Sequence, residues 1–201
     1  MKCLPCKLKD VWIIEPYVFT DARGYFFESF NLAHFLDATS LSAVHFVQDN
    51  ESHSLAGVLR GLHYQVEKPQ GKLVRVTEGL VFDVAVDLRK KSPTYGQWEG
   101  FYLSAENKKQ LWIPPGFAHG FLVLSAQATF QYKVTDYRYA AHERCIRFDD
   151  VTLNIQWPTL AADGSPLAMQ LSDKDRQGQA FIKASVELVA RDQNTERNFQ
   201  S

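Results

Sequence analysis

Only three cysteines, Cys3, Cys6 and Cys145, occur in the 201 residues. An odd and small number excludes the paired framework of a disulfide-rich secreted domain and fits a reducing compartment. Cys3 and Cys6 have the spacing of half a zinc knuckle or of a redox pair. No second Cys-x-x-Cys follows, and no strand-to-helix turn positions this one, so both read as reduced terminal thiols. An excess of one charge is also lacking: 22 Lys plus Arg stand against 23 Asp plus Glu, a net charge of −1. Such a balance leaves no general footprint for nucleic acid or an anionic membrane, so any polyanion has to be met by local groups. No apolar run approaches the roughly 18 residues of a membrane helix, and Met1 to Asp10 carries charges where a signal peptide has its apolar region. The expectation is a cytoplasmic protein with neither nucleic acid nor membrane among its partners.

What the chain does have is apolar material in a period-two pattern. With 45% hydrophobic and 13% aromatic residues, it can bury one sizeable core. Phe82, Val84, Val86 and Leu88 alternate with Val81, Asp83, Ala85 and Asp87, the mark of a strand with two unlike faces. Ala128, Phe130, Tyr132 and Val134 alternate in the same way with Thr129, Gln131, Lys133 and Thr135. Turn signals separate such runs, at Asp21–Gly24, Pro69–Gly71, Glu78–Gly79, Ser92–Gly96 and Pro114–Gly116. Short strands punctuated at this spacing predict an all-β sandwich or barrel. Helical patterning is scarce before residue 160. Asn31 to Asp37 predicts one short helix with Leu32, Phe35 and Leu36 on one side, and an amphipathic stretch near Phe181 to Val189 precedes a charged, frayed end at Ala190 to Ser201. With no repeat, low-complexity block or linker, the economical division is a single domain, residues 1–201, with a core at 11–160 and a C-terminal segment at 161–201.

Two histidine-bearing segments place an imidazole beside small residues and turn chemistry within a β run. They are Gly57-Val-Leu-Arg-Gly-Leu-His63-Tyr-Gln65 and Trp112-Ile-Pro-Pro-Gly116-Phe-Ala-His119-Gly120. The second has the Pro-x-Gly-x-x-His pattern seen in cupin jelly rolls. In metal-binding cupins the first segment usually reads His-x-His followed by a Glu, and these join the later His around one ion. Here Gln65 takes the second position and no Glu matches the spacing that follows. Two imidazoles and an amide are a poor ligand set for a divalent ion, so a barrel that works without metal or other cofactor is expected. His34, His45, His53 and His142 are not candidates for a catalytic base.

Further motifs carry a closer likeness. Asp21-Ala-Arg23-Gly-Tyr-Phe-Phe-Glu28, Phe46-Val-Gln48-Asp-Asn50, Val58-Leu-Arg60-Gly-Leu-His63, Gln70-Gly-Lys72-Leu-Val-Arg75, Phe82-Asp83-Val-Ala-Val-Asp87 and Gln110-Leu-Trp-Ile-Pro114 follow in order. From about Val11 to Asp175 the chain resembles the dTDP-4-dehydrorhamnose 3,5-epimerase family. The resemblance implies a mainly β, cupin-type jelly-roll barrel with a few short, mostly C-terminal helices. It also implies an isomerase that inverts C3 and C5 of dTDP-4-dehydro-6-deoxy-D-glucose. Both carbons flank the C4 ketone, so loss of either proton leaves an enolate. That chemistry needs a base, a proton donor on the opposite face, and a cation or donor at the ketone oxygen.

By this resemblance His63 is the base, with Asp175 as the carboxylate that fixes its tautomer; Asp83, from an inward strand position, is an alternative partner. Lys72 fits the oxyanion stabiliser, and Tyr132 resembles the acid that reprotonates from the other face. Arg23, Arg60 and Lys174 match positions that contact the nucleotide sugar, since the planar fork of arginine suits phosphate. Glu28, Gln48 and Asn50 match polar contacts, His119 lies near the sugar and Glu143 at the nucleoside end, while Tyr137 and Tyr139 offer a stacking face for thymine. A homodimer with exchanged N-terminal strands is implied, in which Arg23 and Glu28 serve the partner's site. Strict alternation sets Arg60 and His63 on opposite faces, and a bulge at Gly61 would reconcile them. The rival readings are a mono-epimerase of a related nucleotide-linked 4-ketosugar, a catalytically silent sugar-nucleotide-binding cupin, and a metal-dependent cupin oxygenase, which Gln65 disfavours.

Overall fold

The computed structural model describes residues 1–184. Its strands are β1 (Lys2–Pro5), β2 (Trp12–Glu15), β3 (Val18–Asp21), β4 (Gly24–Phe27), β5 (Gln48–Leu55), β6 (Leu59–Gln65), β7 (Lys72–Glu78), β8 (Leu80–Asp87), β9 (Trp98–Ser104), β10 (Gln110–Ile113), β11 (Phe117–Val123), β12 (Gln127–Val134) and β13 (Glu143–Cys145). Two helices, α1 (Leu32–Thr39) and α2 (Asp173–Arg176), a 3₁₀ turn at Ala140–His142 and a helical turn at 181–184 accompany them. One sheet runs β1-β2-β10-β7-β12-β5, the other β13-β6-β11-β8-β9, and β3 and β4 form a separate hairpin. Strands adjacent in space are often far apart in sequence, as with β2 beside β10 and β5 beside β12, which is the crossing connectivity of a jelly roll. The mainly β, cupin-type expectation holds. Among the described residues, no helix is long and apolar enough to cross a membrane.

The alternation in β8 explains the layers. Val81 and Ala85 enter the cluster between the two sheets, with Val74 and Val76 of β7, Phe121 of β11 and Phe130 of β12. Phe82, Val84 and Val86 face the other way and are covered by Ile146, Leu153 and Ile155, and by Phe181 of the C-terminal segment. The two unlike faces predicted for this strand are therefore both buried. A third cluster seats Phe35 of α1 against Ile14, Leu73 and Trp112 on the outer side of the larger sheet. Helix α1 starts at the Asn31 cap, whose side chain accepts from the His34 amide, and runs slightly beyond the predicted Asp37. Leu32 departs from the predicted apolar side: it is 44% exposed, because it lies in the first turn, away from the sheet. Of the predicted stretch Phe181–Val189, Phe181 and Ala184 are buried in the outer cluster; residues 185–189 and the end at Ala190–Ser201 lie outside the described residues.

The register of β6 against β11 supplies the expected irregularity. His119 pairs with His63 and Phe121 with Arg60, so three steps on β6 match two on β11. Gly61 is the extra residue. Its φ of +119° and the Gly120 Cα atom, 2.6 Å from where a Cβ would sit, leave room for glycine alone. Leu59, Leu62 and Tyr64 consequently face the outer cluster, whereas Arg60 and His63 both line one interior cavity.

Candidate active site

The interior cavity has a volume of about 240 Å³ and opens between the sheets. His63 of β6, Lys72 at the start of β7, His119 of β11 and Tyr132 of β12 all reach it because they occupy inward positions of their strands. Gln48, Asn50, Arg60 and Glu143 complete the set of predicted residues on its wall. Residues from six strands thus converge on one space, in which a ligand would contact both sheets.

His63 Nε2 donates to the ionised Asp175 carboxylate at Oδ1, 2.5 Å away. Asp175 arrives from the C-terminal segment, which is pinned by parallel bridges from Val58 to Gln170 and from Ile146 to Gln179, one on each side of α2. Ser172 caps α2, accepting from the Asp175 amide, while its hydroxyl donates to Asp175 Oδ2 at 2.9 Å. Burial would raise the Asp175 carboxyl. The bond and charge of His63, with the Ser172 hydroxyl, outweigh it and hold the carboxyl below its ordinary value. Behind this pair lies the buried Cys145, whose Sγ is 3.8 Å from Asp175 Oδ1. Burial, and then the Asp175 charge, push its thiol up to about 12.

Asp83 is not the partner of His63. It belongs to His119, whose Nε2 stands 2.8 Å from Asp83 Oδ2, and the His119 ring stacks on Phe130 at a centroid distance of 5.9 Å. The alternative left open by the sequence is thereby closed: β8 lies beside β11 in the sheet, whereas Asp175 comes over the mouth of β6. Lys72 is buried, and desolvation lowers its ammonium to about 8 even though the Asp83 and Glu143 charges oppose the shift. Burial raises the Tyr132 phenol, helped by the Glu143 charge. Glu143 accepts from Arg138 at 2.7 Å and lies 3.0 Å from Lys174 Nζ. Burial would raise this carboxyl, but those two cations bring it below its usual value.

Several predicted residues are elsewhere. Arg23 sits on the β3–β4 hairpin with its side chain 91% exposed and paired to Asp21, and Glu28 pairs with His34 at 3.3 Å; neither lines the cavity of its own chain. Lys174 borders a neighbouring groove formed with Arg60, His63 and Asp175, and reaches the cavity rim only through Glu143. Tyr137 and Tyr139 do not line the cavity: Tyr137 is exposed, and the Tyr139 hydroxyl accepts from Lys68. Arg138, between them, is a cavity residue the sequence reading passed over. Its available signal was a guanidinium just beyond the strand that carries Tyr132. Gln65, at the cupin ligand position, spends its amide on the Lys68 and Tyr137 carbonyls and its oxygen on the Tyr139 amide, so it ties a loop and does not fit a metal.

A jelly roll that gathers an oriented imidazole, a buried amine and a phenol around one polar cavity defines a cupin-type acid–base enzyme. The family model described as dTDP-4-dehydrorhamnose 3,5-epimerase matches residues 5–183. The chain is 58% identical over 184 residues to the dTDP-4-dehydrorhamnose 3,5-epimerase of Pseudomonas aeruginosa, covering 92% of this chain and 98% of that one. It is 55% identical over 185 residues to the enzyme of that name from Shigella flexneri, covering 92% and 98%. The crystal structure of a dTDP-6-deoxy-D-glucose-3,5-epimerase from Legionella pneumophila, in complex with dTDP-4-keto-L-rhamnose, superposes with a TM-score of 0.86 at 48% identity, covering 93% and 96%. This chain belongs to the dTDP-4-dehydrorhamnose 3,5-epimerase family.

Proposed function

We propose that the protein inverts C3 and C5 of dTDP-4-dehydro-6-deoxy-D-glucose, giving dTDP-4-dehydro-L-rhamnose, a step in making an activated deoxysugar for carbohydrate synthesis. The observation that carries this reading is the meeting of His63, Lys72 and Tyr132 at one cavity, with Asp175 behind His63. With Nε2 committed to Asp175, Nδ1 is the ring nitrogen available to take a proton from carbon, and the carboxylate steadies the imidazolium that results. The Lys72 ammonium, in a desolvated setting, opposes the charge that gathers on the ketone oxygen. The Tyr132 phenol, on β12 of the facing sheet, returns a proton to the other side of the enolate. Abstraction and return at one carbon, repeated at the second, balances without any redox partner.

Arg60, Arg138 and Lys174 supply the cations that a diphosphate requires in a chain of net charge −1. The β3–β4 hairpin presents Phe19 and Phe26, 67% and 71% exposed, and an apolar patch of this kind fits a second copy of the chain. A homodimer in which each hairpin brings Arg23 and Glu28 to its partner's cavity accounts for their absence from their own. The chain reads as a single domain, and its three free thiols suit a cytoplasmic enzyme.

Incubating the purified protein with the 4-ketosugar nucleotide in deuterium oxide tests the reaction by NMR. Deuterium at both C3 and C5, with inverted configuration, is expected. Label at one carbon alone would make it a mono-epimerase, and no label at either would leave a binding protein.

A further inference from the structure

Three metal-ligating side chains meet on the far side of His63 from the sugar cavity. His63, Cys145 and Asp175 each offer a donor atom, and these three atoms lie within 4.8 Å of one another. Nε2 of His63 is 2.5 Å and Sγ of Cys145 is 3.8 Å from Asp175 Oδ1. Tetrahedral zinc, with bonds of about 2.0–2.3 Å to N, O and S, needs donors roughly 3.3–3.7 Å apart, so the Sγ–Oδ1 distance is already close and the Nε2–Oδ1 pair has to part by about 1 Å. The three donors come from three different elements. Cys145 pairs with His63 across β13 and β6, and Asp175 is held by the cap of α2. The Ser172 hydroxyl on Oδ2 provides the outer contact that orients a ligating carboxylate.

A groove of about 440 Å³, lined by Leu171, Ser172, Lys174, Asp175, Arg60 and His63, borders the His63–Asp175 pair. One imidazole, one thiolate and one carboxylate form a ligand set that favours zinc over magnesium or calcium, and three protein ligands leave a fourth position for water.

We propose that His63, Cys145 and Asp175 form an inhibitory zinc site. The ion takes the place of the proton on His63 Nε2, which the ring carries on Nδ1 instead after exchange with solvent, and of the thiol proton of Cys145, which is released to solvent. It occupies the imidazole and the carboxylate that the epimerisation uses, so the zinc-loaded protein is idle and a chelator restores it. The proposal depends on the epimerase reading only for this consequence, because binding itself needs no substrate.

The test is titration of the metal-free protein with cobalt(II), followed by competition with zinc(II), in a Cys3→Ser/Cys6→Ser background that removes the other thiols. One equivalent of cobalt bound, with a near-ultraviolet thiolate-to-cobalt charge-transfer band that zinc abolishes, is expected. Cys145→Ser should lose the band and weaken zinc binding by at least about tenfold, while its metal-free turnover is retained. Should that variant fold poorly, the spectrum of the Cys145-containing protein decides alone. Cobalt bound without a thiolate band, or zinc held equally well by Cys145→Ser, would overturn the site. Bound zinc that leaves turnover untouched would overturn the inhibition.

Discussion

The Nε2 atom of His63 lies 2.5 Å from Oδ1 of Asp175, although 112 positions separate the two residues in the chain. The carboxylate selects the tautomer with the proton on Nε2 and leaves Nδ1 free of it, as the proposed base requires. Asp175→Asn keeps the shape and the Ser172 contact but loses the charge that stabilises imidazolium. We expect kcat to fall by about 10²–10⁴-fold with KM little changed, measured by steady-state turnover of the dTDP-ketosugar. Loss confined to KM would mean that Asp175 binds the nucleotide and does not orient His63.

Lys72 gives a pH dependence with a definite sign. Its ammonium is lowered to about 8, so the charged form that opposes the enolate is present below that value and lost as the pH rises through it. Activity should therefore decline on the alkaline side around pH 8, the region set by that shift. Tyr132 cannot produce this limb, since burial moves its phenol upward. Lys72→Gln should drop turnover by about 10²–10³-fold and leave a residual rate without the limb. For folding the same shift works in reverse: the buried ammonium costs stability below the folded value, and the cost fades as the pH climbs toward the ordinary lysine range.

How much of this was legible beforehand depends on how local the determinant is. Alternation placed Val81, Asp83 and Ala85 on one face, and there Val81 and Ala85 join the cluster between the sheets while Asp83 meets His119, because a two-residue period is a property of the strand alone. The conflict between Arg60 and His63 pointed to Gly61, and the register shift lies there. Choosing between Asp83 and Asp175 required knowing that β11 lies beside β8, a pairing set by the whole sheet and invisible to spacing. Tyr137 and Tyr139 misled for the opposite reason. They follow the strand after it has ended, where alternation no longer fixes direction, and Arg138 was hidden between them.

Tyr132→Phe separates abstraction from return. His63 should still remove the proton and give back a solvent-exchanged one on the same face. Recovered substrate is then expected to carry deuterium with its configuration retained, while inverted product falls by about 10²–10⁴-fold. NMR of the recovered sugar nucleotide in deuterium oxide reads both quantities. Undiminished inversion would remove Tyr132 from the role of acid.

Gly61 links backbone geometry to the chemistry. A methyl group added there meets the Gly120 Cα at 2.6 Å and must adopt a φ of +119°, which favours glycine. Gly61→Ala should lower stability by roughly 1–3 kcal/mol in urea unfolding and, by disturbing the step that turns His63 inward, cost more activity than that loss alone explains. A variant with full turnover would show that the bulge does not govern the position of His63.

The hairpin β3–β4 carries Arg23, which does not line the cavity of its own chain. Arg23 points into solvent from a turn flanked by exposed aromatic residues, far from the cavity whose phosphates it would suit. If the hairpin serves the partner's cavity, each site combines His63 of one subunit with Arg23 of the other. Arg23→Ala and His63→Ala homodimers should then each be weak, the first through KM and the second through kcat. Unfolding and refolding the two together creates heterodimers in which one site has lost both residues and the other has lost neither. Random pairing puts half the molecules in that state, so about a quarter of all sites regain full activity. Recovery of that size, seen in turnover after co-refolding and absent when the two variants are refolded apart, is the expected result. No recovery, with mixed dimers verified by mass, would place Arg23 outside the partner's site.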